Sequence, residues 1–268
     1  MSIFLRVMRR INYTFCEVII IIRDLLTPHR YLFKLYVDRI LYNPTVYSNH
    51  SLVRTFFRSY KAFSRAFDYC ETSYVKGDIL EFGVFTGCTA RVLAIIMRER
   101  ERERESMLLL FDSFEGLPEI ISDIDKNAYH IKYDKIWAKG TMNLSKGIEK
   151  SIFKTLSRII QPHRIKIIKG FYKNTLKNNL KNVKAKFVHI DCDLYESAIV
   201  VLEELIKNHT LQDGTVLLFD DYNTNRANPD MGERKAITDI QKRYHHINFE
   251  PFFNYGNCGQ AFFVHIKR

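Results

Sequence analysis

Tryptophan occurs once, at position 137, and the five cysteines, Cys16, Cys70, Cys88, Cys192 and Cys258, form no C-x-x-C pair. An odd, scattered set of thiols argues against both a disulfide framework and a zinc site, and fits a reducing cytosol. Long apolar runs are also missing. VIIII at 18–22 is interrupted on both sides by Asn12, Glu17, Arg23 and Asp24, far short of the roughly 20 residues a membrane span needs. No small-residue cleavage site follows it, which argues against a signal peptide. The chain has neither a G-x-G-x-x-G fingerprint nor an N-P-P-aromatic motif, since its two N-P pairs read NPT and NPD. Its Lys and Arg residues do not gather into an aromatic-interleaved stripe, so a nucleic-acid binder is disfavoured despite a net charge of +11.

With 46% hydrophobic and 13% aromatic residues over 268 positions, the chain can bury a large core. Charge is uneven. Residues 1–76 hold 12 Lys and Arg against 5 Asp and Glu, which is +7 of the +11 and leaves +4 for the other 192 residues. Two readings of that segment stand: amphipathic helices covering the core, or a basic helix on an anionic membrane surface.

Past residue 76 the pattern changes. GDILEFGV (77–84), MLLLFDSF (107–114), RIKIIKGF (164–171), AKFVHIDCD (185–193) and GTVLLFDDY (214–222) are short apolar runs closed by Gly or Asp. Helical patterns at 89–104, 147–160 and 195–208 lie between them, with another at 232–247 and a terminal hairpin from INFEPFFNYG and CGQAFFVHIKR. The alternation predicts a parallel sheet covered on both faces, with ligands at the carboxyl ends of the strands. RERERERE at 98–105 reads as a solvated helix end.

The strand ends carry the acids. Asp193, followed by Glu196 and an apolar stripe, reads as a helix N-cap. Asp191 has no such role, and a lone carboxylate there needs a cation, a donor or a proton. Asp220 and Asp221 end the next strand, where neighbouring strands lie about 4.8 Å apart. The three either converge on a hard divalent ion such as Mg2+, or Asp220 and Asp221 merely begin a turn. Gly83 and Gly87 in EFGVFTGCTA allow close backbone approach before a helix N-terminus, and Asp112, at the end of the second strand, can accept both hydroxyls of a ribose. A nucleoside without a pyrophosphate suits such a site. His189 reads as a hydrogen-bonded core residue, while His245 and His246 have the intrinsic pKa of a base.

Six ordered motifs, GDILEFGVFTG, FDSFEGLPE, GFYKNTL, HIDCDLYES, GTVLLFDDY and GERKAI, resemble the macrocin O-methyltransferase family, S-adenosylmethionine-dependent enzymes acting on sugar hydroxyls, over residues 77–240. The resemblance implies a class I methyltransferase domain at 77–268: a Rossmann-like, doubly wound, mostly parallel seven-stranded sheet, with a basic N-terminal helical extension at 1–76 forming part of the acceptor site. It implies that Glu81, Gly83, Gly87 and Asp112 hold S-adenosylmethionine with Gly170, Phe171 and Tyr172 near the adenine, that Asp191, Asp220 and Asp221 bind Mg2+, and that the protein is a homo-oligomer. Cys192 stands where the family usually has glycine. Leu194 occupies the position of the lysine base of catechol-type relatives, so that base does not carry over; Asp191 is the expected base, with His245 or His246 as the alternative. The surplus of positive charge at 1–76 favours an anionic small-molecule or glycan acceptor in the cytoplasm. Nucleic-acid methylation, and a non-catalytic peripheral membrane role through the basic N-terminus, are the alternatives. Segments 115–146 and 223–234 read as lids.

Overall fold

The computed structural model describes residues 49–101, 105–133 and 137–267, with side chains from Thr55 onward. The expectations for the first 48 residues, including the VIIII run, lie outside the described residues. The compact unit considered below is Arg58–Arg268.

Over the described residues the elements are α1 (Asn49–Thr72), β1 (Asp78–Phe82), α2 (Cys88–Arg100), β2 (Leu108–Asp112), α3 (Asp123–Lys126), α4 (Tyr129–Tyr133), α5 (Ile148–Leu156), β3 (Ile165–Lys169), α6 (Tyr172–Asn179), β4 (Ala185–Ile190), α7 (Tyr195–Lys207), β5 (Val216–Phe219), α8 (Gly232–Arg243), β6 (Ile247–Tyr255) and β7 (Gly259–Ile266). The seven strands form one sheet in the order β3-β2-β1-β4-β5-β7-β6. β1 to β5 are parallel, and β7 is antiparallel to both β5 and β6. The expected alternation and terminal hairpin are therefore present. β2 and β3 lie to one side of β1 and β4 to the other, so the crevice of the topological switch point opens at the carboxyl ends of β1 and β4.

Both faces of the central strands are covered, which is why they read as nearly continuous apolar runs. One face sets Leu80, Phe82, Phe111, Val188, Ile190, Leu217 and Phe219 against Leu176, Ala198, Leu202, Ala236 and Ile240 of α6, α7 and α8. On the other, Phe63 of α1 packs edge-on against Phe187 at 5.4 Å and His189 at 4.8 Å. α1 and α2 are tied by ion pairing of Arg100 with Asp68 at 2.7 Å.

One helix was not expected and two expectations about elements are corrected. α6, YKNTLKNN, buries only Leu176 and so shows almost no apolar period. The helix expected to 247 stops at Arg243, because Ile247 already pairs with Ile266 in the sheet. The charged run after α2 is not all solvated: Glu101 is buried and binds Lys186 at 3.2 Å and Arg164, which makes it part of the core.

Candidate active site

Parallel pairing carries the chain straight into the acids. Asp191 N donates to Phe82 O at 2.8 Å and Asp220 N to Ile190 O at 3.0 Å, extending the ladder one residue beyond β4 and β5. Carboxylate oxygens of Asp191, Asp193 and Asp221 lie within 4.8 Å of one another. Asp193 reaches the group through a left-handed backbone, φ 62, a conformation Asp tolerates better than most residues. Of the three acids expected from sequence, Asp191 and Asp221 are brought together, Asp193 joins them, and Asp220 instead accepts a 2.8 Å hydrogen bond from Arg58 Nη2.

Asp193 is therefore not a helix cap. Leu194 holds the N-cap position of α7 and makes no side-chain cap bond. The cap comes from Asp125, 2% exposed, whose two carboxylate oxygens accept from Tyr195 N at 2.8 Å and Glu196 N at 3.1 Å. A cap drawn from 70 residues away leaves no local pattern to read. Glu233, in the first turn of α8, was also not anticipated: its Oε2 accepts from Asp221 N at 3.0 Å, and its Oε1 is buried with no partner.

Burial and mutual repulsion dominate the electrostatics. Burial first, then the charge of Asp220 and the other neighbouring acids, pushes the Asp191 carboxyl well above the ordinary carboxylate range. Asp193 is raised by burial and Asp221, Glu233 by burial and Asp221, and Asp221 itself to about 6 by burial and Asp220. Such groups take up protons or a cation. Hard oxygen donors converging on one point, beside an orphaned Glu233 oxygen, fit a magnesium-like ion. The intervening Cys192 thiol is buried and pushed well up, and so stays protonated rather than offering a soft ligand.

The glycine loop adjoins this edge. A Cβ on Gly83 (φ 91) would lie 1.9 Å from Asp191 O, so the crossing of β1 past β4 admits only glycine. Gly87 (φ 78) precedes α2 in the left-handed region and leaves the helix N-terminus without a side-chain cap. Asp112 Oδ2 accepts from Val84 N and Phe85 N, both at 2.8 Å, and its Oδ1 from Phe114 N at 2.6 Å. The expectation of two ribose hydroxyls on Asp112 thus meets a carboxylate with three of about four acceptor sites filled, one that shapes the glycine loop. Glu81 is fully buried, hydrogen-bonded through Oε1 to His189 Nδ1 at 3.0 Å, so it stands inside the sheet rather than in the crevice, with His189 in the core as expected. Gly170 N donates to Asp112 O, which places Gly170, Phe171 and Tyr172 at the end of β3, with the Tyr172 ring 5.9 Å from Phe82.

His245 and His246 are exposed beyond the C-terminus of α8. A 12-residue helix rises roughly 18 Å, which separates them from Glu233 at its other end. The two long segments brace each other: His130 Nδ1 and Asn225 Oδ1 are 2.8 Å apart, and the Arg226 guanidinium lies 4.2 Å from the Tyr129 ring centre. Asn225, Arg226 and Ala227 have φ of 56, 59 and 53, three successive left-handed residues at a cost of about 1–2 kcal/mol each.

The chain matches the family described as "Macrocin-O-methyltransferase (TylF)" over residues 55–253. No curated protein sequence matches it. Among solved structures it is similar to the calicheamicin methyltransferase CalS11, with TM-score 0.63 and 20% identity over 89% of this chain and 91% of that one. It is also similar to the O-methyltransferase NovP, with TM-score 0.60 and 16% identity over 79% and 80%, and to the apo form of CalS11, described as a TDP-rhamnose 3'-O-methyltransferase, with TM-score 0.54 and 17% identity over 89% and 93%. At such identities the structural likenesses establish the fold, while the family match runs from α1 into β6. The chain belongs to the macrocin O-methyltransferase family and is an S-adenosylmethionine-dependent O-methyltransferase.

Proposed function

We propose that the enzyme methylates a hydroxyl of a sugar or glycoside, using S-adenosylmethionine and Mg2+ or a similar divalent cation. The observation that carries this reading is the convergence of Asp191, Asp193 and Asp221 at the crevice beside the Gly83–Gly87 loop. When bound, S-adenosylmethionine supplies an electrophilic methyl carbon and the cation a template for vicinal oxygens. Gly83, Gly87 and the loop tied down by Asp112 fit the cofactor, with Gly170, Phe171 and Tyr172 along its adenine side. Asp191, Asp193 and Asp221 would hold the cation.

The chain's own work is orientation and proton removal. A rigid site that holds an acceptor oxygen about 3–3.5 Å from the methyl carbon can supply several kcal/mol of the barrier. Asp191 takes the hydroxyl proton onto a carboxylate oxygen. His245 and His246 are too far along α8 to share that role. Segments 115–146 and 223–234, joined through His130 and Asn225, close over the acceptor and exclude water.

A nucleotide-linked sugar or other anionic glycan fits best: the basic surplus of residues 1–76 favours an anion, and the related CalS11 is described as acting on TDP-rhamnose. The acidic edge disfavours nucleic acid. Among the described residues no helix is long and apolar enough to cross a membrane. Peripheral membrane contact through the basic N-terminus, a cytoplasmic setting and a homo-oligomer complete the reading. Thermal-shift titration with S-adenosylmethionine, with and without Mg2+, followed by mass analysis of a panel of nucleotide sugars, tests it. Stabilisation by the cofactor and a methylated, Mg2+-dependent product are expected. Cofactor binding with turnover of nucleic acid but no sugar would overturn it.

A further inference from the structure

Two carboxylates compete for one helix start. Were Asp193 the N-cap of α7, one residue before the present cap Leu194, the second and third helical residues would be Tyr195 and Glu196. Those are the backbone N–H groups from which an N-cap side chain accepts, and Glu196 would complete the local capping pattern. In the structure both already donate to Asp125, at 2.8 and 3.1 Å. Asp125 is itself held in place, because its side chain is buried and its own N–H donates to Ser122 Oγ at 3.1 Å.

Asp193 stands where local forces do not favour it. Its backbone is left-handed, φ 62, which costs an L-residue energy, whereas an N-cap adopts the extended region. Its carboxyl faces Asp191 and Asp221, with oxygens of the three within 4.8 Å of one another, and like charges at that spacing repel. An extended backbone with the side chain on its own helix would relieve both. Asp125, by occupying that helix start, closes the alternative.

We propose that Asp125 is a positioning residue for methyl transfer: by capping α7 from a distant segment it displaces Asp193 from the helix start and keeps that carboxylate in the crevice beside Asp191 and Asp221. Loss of Asp125 lets Asp193 fall back on Tyr195 N and Glu196 N, as the local sequence directs, and vacates its place in the acid group. The segment that carries Asp125 also reaches the loop behind Asp221, through His130 Nδ1 and Asn225 Oδ1 at 2.8 Å, so one segment fixes both acid-bearing turns. The consequence for the cation rests on the reading given above, and the exchange of caps does not.

Amide hydrogen exchange of Tyr195 and Glu196, read by NMR on the full-length chain, follows the cap. Mn2+ binding, read from the electron paramagnetic resonance of the free ion, follows the acid group. Glycine at 193 suits φ 62 and removes the carboxylate. Asp193→Gly should leave exchange at both amides within about twofold of the parent and weaken Mn2+ binding at least about threefold. Asp125→Ala should raise exchange by less than about threefold, because Asp193 takes over the cap, while weakening Mn2+ binding as much as Asp193→Gly does. The two together should raise exchange about tenfold or more with no further loss of Mn2+ binding, a coupling that merely structural roles do not give. Asp125→Asn, which caps nearly as well, should keep the parent pattern in both measurements. If Asp125→Ala alone exposes the two amides as fully as the double variant, Asp193 does not move, and the proposal is overturned while the cation reading stands. If Asp193→Gly alone exposes them, Asp193 is already the cap, which overturns the proposal even where Asp125→Ala does not fold. A parent that binds no Mn2+ overturns the cation reading, whereas the exchange pattern still decides the competition for the helix start.

Discussion

Chelated protein should become less stable as pH rises from 5 to 8, the reverse of ordinary acid-sensitive behaviour. Asp221 moves from 3.8 to about 6 on folding, and Asp191, Asp193 and Glu233 are raised as well. An acid with a raised folded-state pKa binds more protons folded than unfolded between its two values, so stability falls as pH climbs through that window and stays lost above it. At about 1.4 kcal/mol per pH unit, the part of that window above pH 5 gives about 1.4 kcal/mol from Asp221 alone. The salt-bridged Glu101, Glu203 and Asp239 are lowered; they act in the opposite sense, but only below about pH 4.5. At about 2–4 °C per kcal/mol for a chain of this size, differential scanning fluorimetry in chelator should show a Tm at least about 3–6 °C lower at pH 8 than at pH 5. Asp193→Asn should flatten that slope and exceed the parent Tm at pH 8. Excess Mg2+ should restore the parent, by about 2.7 kcal/mol at a hundredfold excess over Kd, and leave the variant nearly unmoved. A parent Tm that is level between pH 5 and 8 in chelator, or a variant that follows it, would refute the reasoning.

Asp125→Ala removes the only side-chain acceptor found among the described residues for the first turn of α7; a loss of about 1–2 kcal/mol in urea unfolding is expected, together with weaker Mn2+ binding because Asp193 immediately precedes that turn. Gly83→Ala forces a Cβ onto Asp191 O and should destabilise by more than about 3 kcal/mol or abolish soluble expression. His245→Ala and His246→Ala should leave kcat/KM within about twofold of the parent, since both lie a helix length from the acids. Turnover of an anionic acceptor should decline as salt rises from 0.05 to about 0.5 M; indifference to salt would remove support for the basic segment as a steering surface.

The sheet was legible because burial on both faces writes apolar runs that end in Gly or Asp, and α2 and α7 because they carry an apolar stripe. α6 was not legible: one buried leucine leaves no period. At the site, the position of Asp191 and Asp221 followed from strand register, which sequence spacing reports well. What Asp193 and Asp220 do depends on contacts across the fold. A left-handed turn at Asp193 and an arginine reaching over 162 residues of chain to Asp220 have no local signature, and neither does a cap lent to α7 by Asp125. Glu81 illustrates the same limit: its place on a strand was clear from the sequence, but its partner His189 is set by the pairing of β1 with β4.

Anomalous diffraction from crystals grown with S-adenosylhomocysteine and soaked in Mn2+ tests the acidic site most directly. A manganese peak among the carboxylates of Asp191, Asp193, Asp220 and Asp221 is expected. Well-ordered nucleoside density with no peak among those carboxylates would contradict a cation-templated methyl transfer in this enzyme.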